Sequence, residues 1–180
     1  VDALRFWMYS VNQPGDSKNF DERTVDEVVK KVFNLLLNVR SFYELYAENR
    51  TEFSRSDSSN VLDQWILFYL DDVTLKVTNS LDSFDIFTAA RLIRDFIADL
   101  SQWYVRRSRD RFKGDDSEDR KNATNTLGFV LERLSLVLAP FMPFLAEDLY
   151  QKLRMAESPV SVHLVSWPEV DTSSVGEVIP

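Results

Sequence analysis

A chain of 180 residues, 44% hydrophobic and 28% charged, has the composition of one soluble globular domain, able to bury roughly 70% of its unfolded surface. The absence of cysteine excludes disulfides and thiolate metal sites, and a lone histidine, His163, excludes any two-histidine metal site. The net charge of -8 repels nucleic acid at long range, and no apolar run reaches the roughly 18 residues of a membrane span.

Only four glycines occur, with none between Gly15 and Gly114, which favours long helices over a sheet with tight turns. The first helix is expected over Asp2 to Ser10, stopped by Asn-Gln-Pro-Gly. Thr24 followed by Glu27 fits a capping box for a second helix running to Ala47, with Val25, Val28, Val32, Leu35, Leu36, Val39, Phe42 and Leu45 at three-and-four spacing. A polar loop, Glu48 to Ser59, leads to a third helix over Val61 to Asn79 with Asn60 as N-cap. The fourth helix starts near Ile86. A fifth spans Asp119 to Leu138 with Ala123, Leu127, Val130, Leu134 and Leu138 on one face, and Pro140 ends it. A sixth follows from Pro143 to Arg154. The run Val160 to Val165 alternates as a strand would, and the tail from Glu169 is polar and poorly ordered. These elements predict an all-α bundle of five to six helices over residues 1–168, a short extended C-terminal segment, and a polar tail over 169–180.

The fourth helix carries the clearest stripe. Ile86, Ala90, Ile93, Ile97, Leu100 and Tyr104 step by four and three, and the next steps land on Arg107 and Arg111. Arginines are rarely buried unpaired, so the helix is expected to leave the bundle near Tyr104 or to enter a wet or anionic groove. The run Trp103 to Lys113 holds Arg106, Arg107, Arg109, Arg111 and Lys113, offset only by Asp110. From Arg91 to Lys113 seven basic residues meet three acidic ones, a net +4 that leaves -12 elsewhere. Such segregation points to a protein that meets phosphate on one face. Trp103 is expected to brace the helix from the core side.

Other chemistry is missing. No phosphate loop, dinucleotide fingerprint, Walker lysine or metal-binding helix motif occurs. The acidic pairs Asp71–Asp72, Asp115–Asp116 and Glu118–Asp119 point apart on a helix and make poor acid–base dyads. His163 reads as a structural or partly exposed strand residue, since no nucleophile is identifiable beside it. The Asn-x-Thr sequons at Asn49 and Asn122 read as chance.

The run WYVRRSRDRFK, Trp103 to Lys113, resembles the anticodon-binding helical domain of isoleucyl-tRNA synthetases. So, in order, do DALRFWMYS at Asp2, the segment Asn12 to Ala47, LDQWIL at Leu62, LAPFMPFLAEDLYQKL at Leu138, and SVHLVSWP at Ser161. The resemblance covers Asp2 to Pro168. The Leu-Ala-Pro-Phe-x-Pro-Phe pattern is common to related class I synthetases, whereas the paired arginines set the isoleucyl family apart from the valyl one and leave the valyl and leucyl families as distant alternatives.

The resemblance implies a fragment of a longer enzyme that ligates isoleucine to tRNA using ATP with magnesium, in the cytoplasm and as a monomer. Its catalytic signatures would precede Val1, so the fragment is expected to hold tRNA without aminoacylating it and to use no cofactor of its own. Its partners would be tRNA and the catalytic, editing and C-terminal domains of the same chain, with no membrane. Arg106, Arg107, Arg109, Arg111 and Lys113 would meet phosphates or the shallow groove, and Trp103 joins the expected tRNA-binding set by bracing the helix rather than by stacking on a base. Asp110 would orient an arginine or accept from a base or ribose, with an intrahelical ion pair as its simpler role. The competing expectation is an architectural spacer whose arginines pair with carboxylates, or the equivalent valyl or leucyl domain.

Overall fold

The computed structural model describes residues 1–47 and 54–170. The first half of the loop expected from Glu48 to Ser59, the sequon at Asn49 and the tail from Asp171 lie outside the described residues.

Among the described residues the chain forms six helical rods and no strand. The all-α expectation holds. The first rod, α1 (Asp2–Ser10), has the predicted bounds. The second joins α2 (Glu22–Val28), a π-helical turn (Val29–Phe33) and α3 (Asn34–Tyr46) without a break. Its N-cap is Asp21, whose carboxylate accepts from the Arg23 amide at 2.9 Å, so the helix starts ahead of the expected Thr24–Glu27 box. The third rod, α4 (Val61–Asp82), begins at Asn60 as expected, with the Asn60 side chain accepting from the Leu62 amide at 2.9 Å. The fourth joins α5 (Ile86–Asp99), a second π-helical turn (Leu100–Val105) and α6 (Arg106–Lys113). Asp85 and Asp116 cap α5 and α7 (Ser117–Leu138), and Pro143 opens α8 (Pro143–Leu153).

The centre of the bundle is α7. Its C-terminal half is buried nearly all round, from Phe129 to Leu131 and from Leu134 to Leu138, which is the pattern of a helix enclosed by others. It touches α8, α6, α4 and α3, while α4 pairs most extensively with α5. The predicted face of α7 is buried throughout. Thr126, Gly128 and Ser135 are buried too, although their side chains carry no apolar signal.

One long-range cap ties the first rod to the last. Met142, at the N-cap of α8, supplies no side-chain acceptor. Asp2 does so instead, accepting from the amides of Phe144 and Leu145, each at 2.9 Å. Arg5 balances the buried Asp2 charge at 2.5 Å. A carboxylate at a helix N-terminus meets both unpaired amides and the positive end of the helix dipole.

The strand expected over Val160 to Val165 is not formed. Val162–Leu164 is a single 3-10 turn, held because the Glu147 carboxylate accepts from the Ser161 hydroxyl and the Val162 amide, both at 2.9 Å. A strand needs a partner ladder, and an all-helical neighbourhood offers none. The segment instead folds back onto the bundle, where the Trp167 indole donates to Thr78 Oγ1 at 2.9 Å. His163 is exposed in that turn.

Candidate nucleic-acid interface

The basic helix α6 does not leave the bundle. Up to Tyr104 the predicted seam is buried: Ala90, Ile93, Ile97, Leu100 and Tyr104 are all enclosed. Beyond it the buried positions are Ser108 and Phe112, not Arg107 and Arg111. The π-helical turn Leu100–Val105 accounts for the difference. An i→i+5 turn accommodates one extra residue, so everything after it is rotated by one position relative to an uninterrupted α-helix. The expected exit at Tyr104 is therefore replaced by continued packing, one residue out of phase.

The rotation splits the cationic run between two faces. On the inner face, Phe112 packs edge-on against Phe42 of α3, with ring centroids 4.9 Å apart, and beside Tyr46 at 5.7 Å. Next to it Arg111 turns inward, its side chain only 12% exposed. Its Nη1 donates to Asp63 Oδ1 and its Nη2 to Asp63 Oδ2, both at 2.7 Å, a bidentate fork. Its Nε donates to Asp119 at 3.0 Å and its Nη2 to Asp119 at 2.6 Å. Asp63, on α4, is 0% exposed. Its carboxylate also accepts from the Tyr104 hydroxyl at 2.8 Å and the Ser58 hydroxyl at 2.6 Å. Four elements thus meet on one carboxylate: α4, the loop before it, the π-helical turn and α6.

The energetics fit a closed structural cluster. Burial works against the Arg111 charge, but the hydrogen bonds to Asp63 and Asp119 outweigh it and raise its pKa further above an already high value. The hydrogen bond from Arg111 holds the Asp119 carboxyl below the usual range. Burial, reinforced by the Asp63 charge, pushes the Tyr104 hydroxyl well up, so it remains a donor. Arg111 is thus an internal ion-pair partner, and the anionic groove expected for it is made of the protein's own carboxylates.

The outer face is different. Arg106, Arg109, Asp110 and Lys113 are exposed, and among the described residues none of them forms an ion pair. At 100° per residue, Arg106, Arg109 and Lys113 share one face of α6. The intrahelical ion pair expected of Asp110 is absent, and Asp110 orients neither Arg107 nor Arg111. Arg107 lies over the Trp103 ring, its Cζ 3.7 Å from the ring centroid. Trp103 is 45% exposed, so it does not brace the helix from the core as its sequence context suggests. It sits beside the seam, one position before the buried Tyr104, and faces outward. Two grooves of about 280 and 300 Å³, one between α1, α2 and α5 and one beside α4 and α7, are lined by other residues. Among the described residues no cluster of acidic, histidine or cysteine side chains could hold a metal.

The family model for the anticodon-binding domain of tRNA ligase matches residues 63–179. The chain belongs to this family. The match begins at Asp63 and takes in α6 with both of its faces. Isoleucine–tRNA ligases resemble the chain over almost its whole length. That of Dehalococcoides mccartyi is 41% identical over 98% of this chain, that of Clostridium acetobutylicum 42% over 97%, and that of Thermus thermophilus 40% over 99%. The anticodon-binding domain described here spans 18% of the length of each. The resemblance to the isoleucyl family, drawn from the ordered motifs, therefore holds along nearly the whole chain.

Two site residues escape a reading for cationic clusters, Asp63 and Asp119. A signal for Asp63 is present. It lies on the apolar stripe of α4 with Ile66, Leu67 and Leu70, at offsets of three, four and seven. A carboxylate on one core stripe and an arginine beside another are natural partners once both are noticed. Asp119 gives no such sign, because the first turn of a helix favours acidic residues whatever they touch.

Proposed function

We propose that this domain holds the anticodon arm of tRNA, as part of a longer protein that joins isoleucine to tRNA using ATP. The family assignment supports the reading, and one geometric observation carries it. Arg106, Arg109 and Lys113 project from one face of α6 with no carboxylate partner among the described residues, on a chain of net charge -8. Cations left unpaired keep their charge for phosphate, and counterion release then supplies the affinity. The arginines suit forked contacts to phosphate oxygens, and Lys113 adds a mobile point charge. Asp110, set among them, would accept from a ribose hydroxyl or a base. Arg111 acts in this reading as a positioning residue that fixes α6 against α4 and α7. ATP with magnesium would serve a catalytic domain outside these 180 residues. The partners would be tRNA and further domains of the same longer chain, working in the cytoplasm as a monomer.

Titrating tRNA against the chain at several salt concentrations tests the reading. Log affinity should fall linearly with log salt, by about 0.7 to 0.9 per phosphate contacted. Arg106→Gln, Arg109→Gln and Lys113→Gln should each flatten the slope by about one contact. Three unchanged slopes would remove this face from the interface.

A second reading, an architectural spacer that packs on a catalytic domain, has one observation in its favour. Arg111 is already paired to carboxylates, as a spacer would require of the whole cluster. The free outer face is what that reading leaves without a purpose.

A further inference from the structure

We propose that Trp103 and Arg107 form a stacking platform for one unpaired base of the bound RNA. This role rests on the RNA-binding reading above and is separate from the phosphate contacts of Arg106, Arg109 and Lys113. The indole is 45% exposed although its neighbours Tyr104 and Val105 are buried. Arg107 covers it, with Cζ 3.7 Å from the ring centroid, the spacing of a guanidinium laid over the ring face. The contact holds both side chains in place, so less rotamer freedom is lost when a ligand arrives.

Nucleobases are bound by flat aromatic faces and by guanidinium planes, and Trp103 and Arg107 provide one of each, a single helical turn apart. The three unpaired cations lie on the same helix within about two turns. A strand whose phosphates meet them brings its bases within reach of the indole. A paired A-form stem offers no such base, because its bases are stacked on each other and its deep groove is closed to side chains. The platform therefore selects a loop or a splayed single strand. Residues four apart are neighbours on a helix, and the π-helical turn leaves this pair open to solvent: in an uninterrupted helix Arg107 would fall on the core seam, whereas here it lies exposed over Trp103.

The test uses the 180-residue chain and two RNA probes of equal length, an anticodon-arm hairpin with an open loop and a fully paired duplex. Trp103→Ala should weaken hairpin binding by about 5- to 100-fold and lower the hairpin-over-duplex preference with it. Trp103→Phe keeps a ring face and should retain most of the preference. Arg107→Ala strips the guanidinium from the indole without altering the ring, and should lower the same ratio independently. A preference unchanged in both Trp103→Ala and Arg107→Ala, whatever happens to overall affinity, would overturn the platform and leave the phosphate reading standing. Failure of the unsubstituted chain to bind either probe at low salt would overturn the phosphate reading and the platform with it.

Discussion

The two faces of α6 use the same residue type for opposite ends. Arg111 faces inward, holds two carboxylates in fixed geometry and is 12% exposed. Arg106 and Arg109, within five positions of it, face outward and have no partner among the described residues. What separates them is position on the helix, set by the π-helical turn upstream. An arginine count therefore says little about binding until the phase of the helix is known.

The largest effect should come from disturbing that phase. Deleting Asp110 leaves two outcomes. Either Phe112 and Arg111 rotate out of their seats, or the π-helical turn relaxes and Arg107 is driven into the enclosed place of Ser108. Exposing a core phenylalanine or burying an unpaired charge should each cost roughly 3–5 kcal/mol. Deleting Gln102, which is exposed within the π-helical turn, removes the extra residue itself. Ser108 and Phe112 then fall on the seam of an ordinary α-helix, and the loss should be much smaller. Urea unfolding of the two deletions checks the ordering, and equal losses would count against the π-helical turn as the phasing device.

Next in size is the inner ion pair. Asp63→Ala leaves Arg111 half-satisfied and strips the acceptor from Tyr104 and Ser58. Removing one partner of a buried pair typically destabilises by about 3–5 kcal/mol, and Asp119, which still partly compensates Arg111, should hold the loss to the lower end of that range. The midpoint of urea unfolding should fall accordingly. Asp119 is partly open to solvent at 34%, so Asp119→Asn should fall well short of that.

The same contrast shows what the sequence made legible. The bounds of α1, the Asn60 cap and the apolar seam through Tyr104 follow from local patterns, and the structure has them. Three features follow from no local pattern. The π-helical turn lies in Leu-Ser-Gln-Trp-Tyr-Val, which holds no glycine or proline to mark it. It forms because Ser108 and Phe112 fit the interior and Arg107 does not, a requirement of packing. The deep burial of α7 hides behind Thr126, Gly128 and Ser135, which matter for how closely helices approach. The cap of α8 by Asp2 joins residues 142 positions apart. On the candidate interface, the sequence located the cationic run, and only the fold divided it.

A smaller effect of opposite sign is expected at Ser108. Its hydroxyl is buried and finds no hydrogen-bond partner among the described residues. An unsatisfied buried polar group costs on the order of 1 kcal/mol or more, and alanine fits the same space without it. Ser108→Ala should therefore stabilise the chain by about 1 kcal/mol in urea unfolding. A loss would mean that the hydroxyl has a partner, such as a bound water.

The smallest stability effect belongs to the outer face, and its sign is informative. Arg109 and Lys113 stand four residues apart on one exposed helix face, and Arg109 stands three from Arg106. Like charges at these spacings oppose each other by about 0.2–0.5 kcal/mol per pair. Asp110 sits within one turn of Arg106 and Lys113 and offsets part of that repulsion, but Arg109 is its direct neighbour and does not face it. Arg109→Gln should then leave stability unchanged or raise it by a few tenths of a kcal/mol, while it flattens the salt dependence of RNA binding. Asp63→Ala should behave in the reverse way, losing stability first and binding only as a consequence. A residue retained for folding cannot combine a neutral or favourable change in stability with a loss of binding. If Arg109→Gln instead destabilises the chain as an inner-face change does, the division of α6 into a folding face and a binding face fails at the residue where it is cleanest.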